Sequence, residues 1–135
     1  MPRRREPLRE DDGARLLAHR YGELVAEIAE EPSFATRHMF GCLACYAHGR
    51  LMLLLADRRP PWHGVLVPTA REHHAALRTE IRTLRVHAVL TKWLHLPPGA
   101  TAFEETAARL ATLARGGDPR LGVEPQPKRR RRATR

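Results

Sequence analysis

The chain predicts an α+β domain: an antiparallel sheet of about five strands, with an N-terminal, a middle and a C-terminal helix packed against it. Three observations carry this. The stretch Arg37–Asp57, RHMFGCLACYAHGRLMLLLAD, reads as two nearly uncharged strands around a Gly-containing turn. Apolar residues recur at the helical period in two other stretches, one before this hairpin and one near residues 103–114. Successive strands separated by short turns argue an antiparallel sheet with helices to one side.

Residues 1–12 are charged and contain Pro2 and Pro7, so they read as a mobile segment before a domain over 13–117. Asp11 or Asp12 can cap a helix starting near Gly13, whose stripe is Leu17, Tyr21, Leu24, Val25 and Ile28. Pro32 ends that helix. The first strand is expected over Met39–Tyr46, with Gly41 inside it marking a bulge or a close approach by another segment. Gly49 supplies the positive φ of the turn, and His48 tolerates that region. Leu51–Ala56 is apolar at every position, so this second strand should be central and covered on both faces.

Arg58-Arg59-Pro60-Pro61 is a loop, and Trp62–Val67 reads as a third strand stopped by Pro68. Thr69-Ala70-Arg71-Glu72 has capping-box spacing, predicting a short helix to about Glu80. Val86–Leu90 and Trp93–Leu96 are further strand candidates; Thr91-Lys92 either turns between them or belongs to one bulged strand. Pro97-Pro98-Gly99 is a break, and Thr101-Ala102-Phe103-Glu104 is a second capping box. The helix it opens presents Phe103, Ala107, Leu110 and Ala114, and Gly116-Gly117 stop it. Residues 118–135 read as a basic, Pro-containing tail.

Arg37, Met39, Phe40 and Gly41, followed by Tyr46, Gly49, Arg50, Met52 and Leu53, resemble the opening of the TfoX N-terminal (Sxy-like) domain family, related to the YjbR-like group. Val65-Leu66-Val67, a helix, Lys92-Trp93-Leu94-His95-Leu96-Pro97 and a final helix continue the family's order, so the resemblance spans roughly residues 20–115. The chain departs from the family at Cys42, Leu43 and Cys45, where small residues or Gly are usual. The resemblance implies an α+β fold, no catalytic residues, and a role in regulation of the competence type.

Charge and chemistry narrow the function. The chain carries a net +9, of which residues 124–135, with six Lys or Arg against one Glu, hold +5. The run Lys128-Arg129-Arg130-Arg131-Arg132 can neutralise phosphates without reading sequence, or simply solubilise a tail. Arg58, Arg59, Arg71 and Arg78 are expected sheet-edge cations that would join it in a nucleic-acid-binding module. No window approaches the ~18 apolar residues of a membrane span, and no apolar segment follows the Arg-rich start, so the expected compartment is cytoplasmic.

Cys42 and Cys45, with His38 and His48 nearby, are the candidate metal or thiol set. Side chains alternate along a strand, so 42 and 45 should point to opposite faces and behave as core filling; no metal or cofactor is therefore expected. His87 and His95 can meet across neighbouring strands, while His73 and His74 face different directions on a helix. Neither a Gly-rich phosphate loop nor G-x-S-x-G nor H-E-x-x-H occurs, and Ser33 is the sole serine. The expectation is a non-enzymatic regulatory domain acting through a protein partner, with nucleic-acid binding as the alternative and thiol or metal chemistry at Cys42/Cys45 as the third.

Overall fold

The computed structural model describes residues 5–125, the first six of them by backbone alone. The element order is α1 (Arg5–Ala18), a 3₁₀ segment (Gly22–Glu30), β1 (Ala35–Met39), β2 (Cys42–Ala47), β3 (Arg50–Asp57) and β4 (His63–Val67). There follow a 3₁₀ turn (Arg71–His73), α2 (His74–Glu80), β5 (Arg85–Val86), β6 (Leu94–Leu96) and α3 (Phe103–Arg115). The six strands form one antiparallel sheet in the order β1-β2-β3-β4-β6-β5. The α+β class and the helix-on-sheet arrangement hold; the sheet has one strand more than expected.

The extra strand comes from Phe40-Gly41. Both residues have positive φ, 56° and 74°, so they form a tight turn and not a bulge within one long strand. Pairing runs Met39↔Cys42 back to Ala35↔Tyr46. The expected close approach at Gly41 is present: the Arg58 side chain packs where a Cβ would stand. The bulge lies elsewhere. Cys45 pairs with Leu53 and Tyr46 with Leu51, which leaves Met52 unopposed and turns both Met52 and Leu53 to the same face.

The single helix expected from Gly13 to Pro32 is two pieces. Helix α1 starts at Arg5 and ends at Ala18. His19 Nδ1 accepts the Tyr21 amide, and the chain folds back so tightly that a Cβ on Gly22 would meet the Leu16 carbonyl. The break rotates the stripe: Leu16, Tyr21, Val25 and Ile28 are buried, while Leu17 is exposed. Asp12 is not a cap. It accepts from Thr36 N, Thr36 Oγ1 and Arg15 Nη1, tying α1 to β1.

Neither capping box forms, because the N-cap of each helix falls one residue after its threonine. Ala70 and Ala102 are the N-caps, without side-chain bonds. Thr69 Oγ1 instead donates to the Arg120 carbonyl at 2.6 Å. The C-terminal stop of α3 is as read: Gly117 has φ 74°, with Asp118 N bonded to Leu113 O and Gly117 N to Ala114 O. Val86–Leu90 is reduced to a two-residue strand, and Thr91-Lys92 lies in the turn before β6.

The sheet's two faces are covered differently. On one, Leu43, Leu53, Leu55, Val65 and Leu94 pack with Val25, Ile28, Leu77, Ala107 and Leu110 from the helical segments. On the other, Cys42, Ala44, Leu51, Leu54, Ala56 and Leu66 form a second cluster. No helix lies over that cluster among the described residues. It is closed by Met39, Tyr46, Trp62, Leu90, Trp93 and Val123. All six residues from Leu51 to Ala56 are buried, as expected for a central strand.

Residues 118–123, read as the start of a tail, belong to the domain. Leu121 is fully buried. Pro68 ends β4 before it can cover Leu51, and Val123 takes that flank through Leu51 N→Val123 O and Val123 N→Leu51 O, at 2.9 and 3.1 Å.

Candidate functional site

The open face of the sheet gathers the exposed chemistry. Phe40 sits at the tip of the β1–β2 turn, 57% exposed, in the left-handed region where a bulky side chain is a backbone outlier. Arg58 packs beneath the turn, its Nη1 donating to the Phe40 carbonyl at 3.3 Å. From Phe40 a row of rings runs inward: Trp62 at 6.0 Å, then His87 at 4.8 Å, His95 at 5.2 Å and His63 at 5.2 Å.

Two hollows flank Phe40. One is shallow and lined by Asp57, Arg58, Arg59 and Trp62. The other, of about 360 Å³, is floored by Met39, Tyr46, Leu51 and Trp93, with Arg37, Lys92 and Glu124 at its edges. Arg37 lies over the Tyr46 ring, 5.7 Å from its centroid. Asp57 is paired with Arg20 at 3.3 Å, so Arg37, Arg58, Arg59 and Lys92 leave the face cationic.

The histidines beneath are structural ties. His87 is buried; its Nδ1 accepts from Val89 N and Leu90 N at 3.2 and 2.9 Å, so its Nε2 carries the proton donated to Pro61 O at 2.9 Å. His95 Nε2 donates to His63 O at 2.6 Å. Burial, offset in part by that bond, pushes the His95 pKa down to about 4, and burial lowers His87 as well. With both nitrogens of His87 committed to backbone, it has no free lone pair to offer a substrate. The expected His87–His95 contact is made; His63, the third member, was legible only as a histidine beside a glycine.

The cysteine candidates are separated. Cys42 belongs to the open-face cluster and Cys45 to the helix-face cluster. Cys42 and His38 line one small cleft beside α1. His48 sits at the other end of β2, its Nε2 bonded to Arg115 O at 2.7 Å. Among the described residues no group of three His, Cys, Asp or Glu is placed to hold a metal ion. Burial, reinforced by the charge of Asp12, pushes the Cys45 thiol up to about 12; burial also raises Cys42, against the pull of Arg58. Neither thiol is therefore expected to react with a disulfide reagent within minutes in the native protein, and both should react in denaturant. Rapid labelling of one thiol under native conditions would contradict these positions. Ser33 is likewise engaged, its Oγ donating to Glu31 and accepting the His48 amide.

The four arginines expected along the sheet edge do not form one site. Arg58 and Arg59 border the open face. Arg71 donates to Thr91 Oγ1, and Arg78 Nε to Leu84 O in a separate cleft. The actual edge strands carry Arg37, on the unforeseen strand β1, and Arg85, on β5 at the opposite edge. Lys128, Arg129, Arg130, Arg131 and Arg132 lie outside the described residues. No helix of the described residues is long and apolar enough to cross a membrane. Comparison of the chain with protein-family models, curated proteins and solved structures finds no match.

Proposed function

We propose that the chain is a non-enzymatic regulatory domain of the TfoX-like type, acting in the cytoplasm, which holds a partner protein on the open face of its sheet. The carrying observation is Phe40: a large apolar side chain, 57% exposed, kept at φ 56° between two hollows. A non-glycine residue in this region costs roughly 1–2 kcal/mol, and such strain gathers at functional positions. The surrounding composition of Trp, Tyr, Met and Arg is that of an interface centre, and the cationic rim suits a partner segment with an apolar anchor and acidic flanks. The unpaired cysteines on opposite faces suit a reducing compartment.

The test separates stability from binding. Phe40→Gly is expected to keep or raise stability by up to about 1 kcal/mol, because glycine accepts the turn's backbone freely. It should weaken the partner complex by roughly tenfold or more, as loss of an anchor does. A photo-crosslinking residue at position 40 should capture one discrete protein, whereas the same residue at the exposed Ala108 on α3 should not. Equal capture from both positions, or substrate turnover that survives with no captured protein, would reverse the assignment.

A further inference from the structure

Away from the open face, at the β5 edge, a cleft of about 590 Å³ is lined by Arg78, Arg82, Arg85, Thr83 and Thr101. Its three guanidiniums have no acidic partner among the described residues. Around α3 and the segment that follows it, by contrast, the arginines are paired. Glu80 and Asp118 serve Arg109 and Arg120, and Glu27 and Glu30 serve Arg115. Three like charges around one cleft set up a positive local potential that favours an anion from solution.

One of the three is already oriented. Arg78 Nε donates to Leu84 O at 3.1 Å, which fixes the plane of its guanidinium and leaves both terminal NH₂ groups uncommitted. Arg82 and Arg85 are exposed and make no ion pair among the described residues, so their forks are free. Gly99 has open space where a Cβ would point, so a side chain does not close the mouth there. Planar forks match phosphate oxygens in pairs, and the hydroxyls of Thr83 and Thr101 add short neutral donors.

We infer that this cleft binds a phosphate-bearing anion, held by the forks of Arg78, Arg82 and Arg85. A small-molecule diphosphate and a nucleic-acid backbone both present phosphate oxygens, and separate probes distinguish them.

The full chain is titrated at low ionic strength with inorganic pyrophosphate, in parallel with a short single-stranded oligonucleotide, while backbone amide resonances are followed. Pyrophosphate is expected to move the amides of residues 82–86 and 99–101 saturably. The Arg82→Ala/Arg85→Ala variant, altered only at exposed positions, should bind roughly tenfold or more weakly, and the double Lys variant should recover only part of the loss, because an ammonium lacks the fork. If the oligonucleotide moves the same amides, the phosphates come from a nucleic-acid backbone. If it leaves them still while pyrophosphate moves them, the source is a small diphosphate. The proposal is overturned if neither probe moves these amides, if the Ala variant binds as well as the parent, or if sulfate at equal ionic strength matches pyrophosphate.

Discussion

Gly64→Ala is expected to destabilise this domain by at least about 3 kcal/mol, lowering the thermal midpoint by about 10 °C or more. Gly64 has φ 90°, outside what an L side chain adopts comfortably. A Cβ there would stand 2.3 Å from the Leu96 carbonyl and 3.0 Å from Pro98 Cδ. The first of these is backbone and cannot swing away. Relief requires β6 to move off β4, breaking the pairs Val65↔Leu96, Leu66↔His95 and Val67↔Leu94. Those strands carry fully buried Val65, Leu66, Leu94 and Leu96, so the cost reaches the core on the helix face. Gly49→Asn provides the control. Its φ is 73°, but nothing lies within 4 Å of the added atom, and Asn tolerates the region, so less than about 1 kcal/mol should be lost. Urea denaturation followed by circular dichroism measures both. A Gly64→Ala protein within 1 kcal/mol of the parent would show that β4 and β6 are not held as described.

Acidification below pH 6.5 should lower the protein's stability progressively, before ordinary carboxylates titrate. The folded-state pKa of His95 is about 4 against an ordinary value of 6.5. Above pH 6.5 the ring is neutral in both states and the native contacts keep their full strength. Between pH 6.5 and about 4 the unfolded chain takes up a proton that the folded one refuses, so stability falls with falling pH. The full shift corresponds to roughly 3 kcal/mol. His87 and His19, lowered chiefly by burial, act in the same direction. In His87 the structural reason is explicit: a proton on Nδ1 would turn the acceptor of the Val89 and Leu90 amides into a donor. Glu27, Glu31, Glu80 and Asp118 have lowered pKa values, so their contribution is lost only as pH falls through the ordinary carboxylate values and on to the lower folded ones. Urea midpoints at pH 7.5, 6.5, 5.5 and 4.5 should therefore slope before the carboxylates enter. His95→Gln, which can still donate to His63 O, should flatten that slope. A flat profile in the parent from 7.5 to 4.5 would refute the neutral, buried cluster.

The uncharged run Leu51–Ala56, the His48-Gly49 turn and the glycine stop of α3 were legible because each rests on a local rule: two-faced burial, positive φ, a left-handed exit. The Phe40-Gly41 turn was not, because phenylalanine at positive φ violates the local preference, and the apolar pattern runs through it unbroken. The break between α1 and the 3₁₀ segment was hidden for the opposite reason: the helical stripe continues in sequence, and the fold-back depends on Gly22 meeting a carbonyl six residues earlier. Both threonines read as caps were in the right place but one residue early, and Thr69 is drawn off by the Arg120 carbonyl. The separation of Cys42 from Cys45 followed from strand alternation. The open face did not, since sequence distinguishes buried from exposed aromatics poorly, and Trp62, Trp93 and Phe40 come together only through the sheet order.

The ladder between Leu51 and Val123 also sets the order in which a nascent chain can finish folding. The middle strand is made early, yet its last hydrogen-bonding partner leaves the ribosome after every helix and every other strand. Until then Leu51 presents a bare N–H and C=O on an apolar strand, the kind of template another chain can add to. A product cut just after α3 should therefore self-associate, even though it contains the whole sheet and all three helices.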